Sequence, residues 1–145
     1  MEFITVEQFQ EQPEEVQKVF LDWWKCDYGD LYYYNENPLI KYKDFKIIDN
    51  DLACEVYGDF DYFKKAGVIP IFTEGQLRKF IEDKTGCKLD ATFFLWDGYT
   101  VEISKKYEEE GYCISQKAFE HLGEDLLQAY WKVACEIAEQ LTIKN

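Results

Sequence analysis

The 145-residue chain is 47 % hydrophobic and 18 % aromatic, with three prolines and eight glycines. That composition suits a single domain spanning residues 1–145, which at this length buries roughly two thirds of its unfolded surface; it argues against intrinsic disorder and against a long linker. The net charge of −13 repels nucleic-acid phosphates and anionic bilayers and favours basic protein surfaces instead.

The charge is unevenly spread. Residues 1–63 hold 15 acids against 5 lysines, leaving −10, whereas residues 64–145 hold 14 acids against 11 bases, leaving −3. Arg78 is the only arginine beside fifteen lysines. No basic segment followed by an apolar run comes after Met1, and no apolar stretch is long enough to span a bilayer, so a cytoplasmic location is expected. Cys26, Cys54, Cys87, Cys113 and Cys135 are odd in number and widely spaced. That pattern predicts reduced core thiols rather than a disulfide framework or a zinc cage.

Along the chain, Thr5 to Glu11 reads as a short turn and Pro13 to about Lys25 as a helix. Proline is favoured in a first helical turn, and Glu14 and Glu15 suit the positive end of the helix. Val16, Val19, Phe20 and Trp23 supply its apolar stripe, with Trp24 at one edge. After a turn at residues 26–30, Leu31 to Tyr34 is a strand candidate. Phe45–Ile48 and Leu52–Tyr57 read as a hairpin around Asp49-Asn50-Asp51. Val68 to Phe72 is extended and apolar. Thr73 and Gln76 form a capping box opening a helix with Leu77, Phe80 and Ile81 on its buried face and Gly86 as its stop.

Leu89–Trp96 and Tyr99–Ser104 flank Asp97-Gly98, the dipeptide of a two-residue hairpin turn. Val101 and Ile103 alternate with Glu102 and Ser104, predicting one wet face. Tyr112 to Ser115 is a third strand. Gly123 to about Thr142 is a helix whose wide apolar face carries Leu127, Tyr130, Trp131, Ala134, Ile137, Ala138 and Leu141. The fold class expected is α+β: a small, mainly antiparallel sheet packed with an N-terminal, a central and a C-terminal helix.

Chemistry is sparse. The single histidine, His121, stands in a polar connector and is expected at the surface rather than in a dyad with Cys87 or Cys113. The carboxylate pairs Asp49/Asp51 and Asp59/Asp61 and the run Glu108–Glu110 match no calcium loop and no spaced acid–base pair. Phosphate-binding glycine loops are absent. No catalytic residue, metal ligand or cofactor is therefore assigned, and the chain reads as a binding protein rather than an enzyme.

The segments Val68-Ile69-Pro70-Ile71-Phe72-Thr73-Glu74-Gly75-Gln76-Leu77-Arg78-Lys79-Phe80-Ile81-Glu82 and Asp125-Leu126-Leu127-Gln128-Ala129-Tyr130-Trp131-Lys132-Val133-Ala134 resemble parts of small uncharacterised phage and prophage proteins of low-GC Gram-positive bacteria. The resemblance implies source and general fold. By analogy with small acidic phage proteins, it suggests an inhibitor of host defence of the anti-CRISPR or DNA-mimic kind. The expected partner is a host protein with a basic nucleic-acid-binding surface, such as a Cas effector, with no direct binding of nucleic acid or membrane. The expected contact residues are Glu14, Glu15, Asp22, Trp24, Asp27, Asp30, Tyr32 and Tyr34, an acidic and aromatic cluster of the type found at interaction hot spots. Two alternatives remain: a small-molecule binder or small enzyme with an aromatic pocket, and a phage structural or regulatory protein that self-associates through an exposed aromatic patch.

Overall fold

A computed structural model describes residues 2–25, 30–34, 46–47, 67–107 and 112–143, which form an α+β protein with small antiparallel sheets. Its contacts gather into two compact units, residues 4–72 and residues 1–3 with 73–145. Among the described residues no helix is long and apolar enough to cross a membrane.

In the first unit, helix α1 (Val6–Gln10) is opened by a capping box. The Thr5 hydroxyl accepts from the Gln8 amide, and the Gln8 side chain accepts from the Thr5 amide. The segment expected as a turn is thus a one-and-a-half-turn helix, stabilised at its orphan amide groups. Helix α2 (Glu14–Trp23) follows, with Pro13 at its N-cap. The Gln17 amide ties the two helices by donating to the Gln12 carbonyl at 2.7 Å and the Gln10 carbonyl at 3.3 Å.

Strand β1 (Leu31–Tyr34) is the centre of a three-stranded antiparallel sheet, flanked by β2 (Lys46–Ile47) and β3 (Val68–Pro70). The expected hairpin partner of residues 46–47, Leu52–Tyr57, lies outside the described residues; Leu31 and Tyr32 pair with Ile47 and Lys46. The core joins Ile4, Phe9, Val16, Phe20, Trp24, Ile71 and Phe72. Within it the Phe20 ring is 5.6 Å from Phe72 and 6.3 Å from Phe9.

The second unit runs helix, three strands, helix. Helix α3 (Glu74–Thr85) has the expected Thr73–Gln76 capping box and ends at Gly86 in the left-handed region, φ 69°. Strands β4 (Lys88–Phe94), β5 (Gly98–Tyr107) and β6 (Tyr112–Phe119) form an antiparallel meander. Helix α4 (Leu126–Ile143) starts after Asp125, whose carboxylate accepts from the Gln128 amide at 2.9 Å. Leu77, Phe80 and Ile81 of α3 and Leu127, Tyr130, Val133, Ala134 and Ala138 of α4 are buried with Leu89, Val101 and Ile103 of the sheet. Lys88, Asp90 and Glu102 on the opposite sheet face are exposed, as expected for an antiparallel sheet covered on one side.

Arg78 and Glu82 join α3 to β4. The Arg78 guanidinium donates to the Leu89 carbonyl at 2.8 Å, and the Glu82 carboxylate accepts from the Leu89 amide at 3.1 Å. β4 is an edge strand, so these two side chains occupy backbone groups that an edge otherwise leaves open.

Candidate interaction surfaces

The expected contact residues separate into two sets. Glu14, Glu15 and Asp22 are exposed on α2. At 3.6 residues per turn they fall, with Lys18, within about 100° of arc, on the side opposite the Val16–Phe20–Trp24 stripe. No ion pair among the described residues involves Glu14, Glu15 or Asp22, whereas on α3 Glu82 and Asp83 are both paired, with Arg78, Lys88 and Lys79.

Trp24 and Tyr32 are not surface rings, which corrects their assignment as contacts. Trp24 is 1 % exposed and its indole N–H donates to the Asp30 carboxylate at 3.0 Å. The chain leaves α2 at Trp24 in an extended conformation, ψ 116°. The buried ridge therefore follows the i, i+4, i+8 row 16–20–24, and Val19 and Trp23 are only half-buried. Tyr32 is 4 % exposed and Tyr33 is buried as well. Neighbouring strand residues face opposite ways, but β1 is the central strand and both its faces are covered. Asp30 is half-buried beneath Trp24. Asp27 and the Tyr34 side chain lie outside the described residues.

A second surface was not foreseen. At the β4–β5 turn Leu95 is 87 % exposed, Trp96 84 % and Phe93 44 %. The turn is not the two-residue loop that Asp97-Gly98 suggested. Phe94 pairs with Gly98 across the three residues Leu95, Trp96 and Asp97, and the Asp97 amide donates to the Phe94 carbonyl at 3.2 Å. Only Gly98 takes a positive φ, 81°, which is the three-residue hairpin closed by a left-handed glycine. The cause is tertiary. Gly98 lies against Gly123, and the Tyr99 amide donates to the Gly123 carbonyl at 2.7 Å while the Leu122 amide donates to the Tyr99 carbonyl at 3.1 Å.

The tip is held from both sides. Phe93 packs on Tyr99 at 5.0 Å and Phe94 on Trp96 at 5.4 Å. His121, itself at φ 60°, hydrogen-bonds through Nδ1 to the Asp97 carboxylate. That bond, reinforced by the charge of Asp97, raises the His121 pKa above its ordinary value; the exposed Glu120 adds to the effect. The sequence does carry a signal for this surface. Phe93-Phe94-Leu95-Trp96 is a run of four apolar residues, and in a strand with one wet face such a run forces large apolar side chains into water.

The two cysteine side chains described are both free thiols. Cys87 is buried, with its thiol on the Thr85 carbonyl at 3.5 Å. Burial, and then Glu139, push the Cys135 thiol up to about 12. Among the described residues no three His, Cys, Asp or Glu side chains gather closely enough to hold a metal ion. The carboxylate pairs at residues 49–51, 59–61 and 108–110 lie outside the described residues. Comparison with family models, with curated proteins and with solved structures finds no match to this chain.

Proposed function

We propose that this is an acidic phage protein that acts by binding rather than by catalysis, occupying the basic nucleic-acid-binding surface of a host defence protein of the Cas-effector type. The supporting observation is the α2 face, where Glu14, Glu15 and Asp22 stand exposed and outside any ion pair among the described residues. In this reading those carboxylates take the place of phosphates opposite Arg and Lys of the partner, forming charge-assisted hydrogen bonds. The −10 excess of residues 1–63 steers the encounter at long range. This reading rests on Glu14, Glu15 and Asp22, since Trp24 and Tyr32 are buried and Asp30 is bonded to Trp24.

The test is an affinity capture from a low-GC Gram-positive host lysate with wild type and the E14K/E15K/D22K variant side by side. The expected result is a nucleic-acid-binding protein retained by wild type, released by raised salt and missed by the variant. A specific partner indifferent both to the three substitutions and to salt sinks the proposal.

A further inference from the structure

The β4–β5 tip is a separate apolar surface in the other compact unit, and its properties point to one kind of occupant. Leu95 and Trp96 are almost fully exposed, yet the backbone that carries them is fixed at its base. Gly98 and Tyr99 are tied to Gly123 and Leu122, and Asp97 is tied to His121. A rigid aromatic–aliphatic projection loses little conformational freedom on binding, which is the property of a preorganised anchor.

Charge decides among the surfaces such an anchor can enter. Asp97 is part of the tip, Glu120 lies 3.9 Å from the His121 ring, and Glu124 follows Gly123; Glu120 and Glu124 are exposed. The cations of this edge, Lys132 with its ammonium on the Leu122 carbonyl at 3.3 Å and His121 when protonated, are outnumbered by the carboxylates of Asp97, Glu120, Glu124 and Asp125. An anionic bilayer or a nucleic acid is repelled by these carboxylates and by a net charge of −13 as the tip approaches it. A second copy brings the same carboxylates opposite themselves. A protein cleft that is apolar within and lysine- or arginine-lined at its rim is complementary on both counts.

We infer that Leu95 and Trp96, supported by Phe93 and Phe94, form an anchor that inserts into an apolar, basic-rimmed cleft of a partner protein. This surface goes beyond the α2 face and stands independently of it.

The probe is a synthetic helical-hairpin peptide whose two helices form a leucine-lined groove rimmed by lysines, beside a control with the same groove rimmed by glutamines. Both are titrated by calorimetry into the full chain, into L95S/W96S and into E14K/E15K/D22K. The expected result is binding of the lysine peptide to wild type, weakened about tenfold or more in L95S/W96S and retained in E14K/E15K/D22K, with the glutamine peptide binding less tightly. An unchanged thermal melt of L95S/W96S confirms that the two exposed replacements leave the fold intact.

Three results overturn the inference: a wild type that does not bind the lysine peptide, equal affinity in wild type and L95S/W96S, or a glutamine peptide that binds as well as the lysine one. Sedimentation supplies a fourth, a wild-type dimer that L95S/W96S returns to monomer, which makes a second copy the occupant. Loss of binding in E14K/E15K/D22K alone places the contact on α2 and leaves the earlier proposal standing while this one falls.

Discussion

Gly98 and Gly123 meet backbone to backbone, and this contact sets the geometry of the β4–β5 turn. A Cβ at position 98 would sit 2.7 Å from the Gly123 carbonyl carbon and against its oxygen, and the backbone there is already left-handed at φ 81°. Gly98→Ala combines a steric clash with a conformation that alanine disfavours. It is expected to lower stability by about 2–4 kcal/mol, read as a fall in the thermal midpoint. The neighbouring His121–Asp97 bond makes a different kind of prediction. Because Asp97 raises the His121 pKa in the folded chain, the stabilisation it brings is complete below the unfolded value near 6.5 and is lost as pH climbs past the folded value. The His121 imidazole, followed by NMR, should therefore titrate above its ordinary midpoint in wild type and move back towards it in Asp97→Asn. A midpoint that does not move in Asp97→Asn would break the link between the two residues.

At the scale of elements, the joint between α3 and β4 rests on two side chains that serve one residue, Leu89. Arg78→Ala frees the Leu89 carbonyl and also removes the ion pair with Glu82, whose Nε–Oε2 distance is 3.8 Å. The expected destabilisation in urea is about 1–2 kcal/mol. Arg78→Lys should recover little of it, because one ammonium does not reproduce a guanidinium that reaches two acceptors at once. An Arg78→Ala variant as stable as wild type would show that solvent serves the Leu89 carbonyl equally well.

Elements were legible where local determinants are repeated over several turns or strand residues. The Thr73–Gln76 box, the Gly86 stop, the Val101/Ile103 alternation and the apolar face of α4 all stand where the sequence puts them. Two departures have identifiable reasons. The Thr5–Gln8 box bears the same signature as Thr73–Gln76, but its helix is only five residues long and offers too little periodicity to be read. The Asp97-Gly98 turn is displaced by one residue because Gly123, distant in sequence, requires Gly98 beside it.

On the scale of the whole molecule, the governing quantity is the distribution of negative charge. On α3 the carboxylates of Glu82 and Asp83 are neutralised by neighbouring cations, and at the β6–α4 edge Glu136 is paired with Lys117 at 3.6 Å. The α2 carboxylates have no such partners among the described residues. If the function proposed above is correct, E14K/E15K/D22K should lower both affinity and its dependence on ionic strength, since fewer interfacial charges leave less to screen. Weakened affinity with an unaltered salt response would point to a loss of shape rather than of charge.

The exposure of Glu14, Glu15 and Asp22 could be read from sequence because a carboxylate's desolvation penalty favours the surface, whereas Asp30 is half-buried against Trp24. The aromatic members could not. Whether Trp24 or Trp23 turns inward depends on where α2 ends, and whether a tyrosine of β1 is covered depends on both faces of that strand being packed. Conversely, Leu95 and Trp96 belong by composition to a core; the run Phe93–Trp96 shows that some of its side chains must be wet, and the sheet register shows which.

The two glycines beneath the tip divide the hairpin into a part that must stay and a part that is at liberty to change. Leu95 and Trp96 fill no space in the interior, so their replacement leaves the scaffold standing, while position 98 tolerates only a residue without a side chain. A lineage can rewrite those two letters repeatedly, each time on an unchanged frame. Among descendants of this protein, diversity is expected to concentrate at positions 95 and 96 and to vanish at position 98.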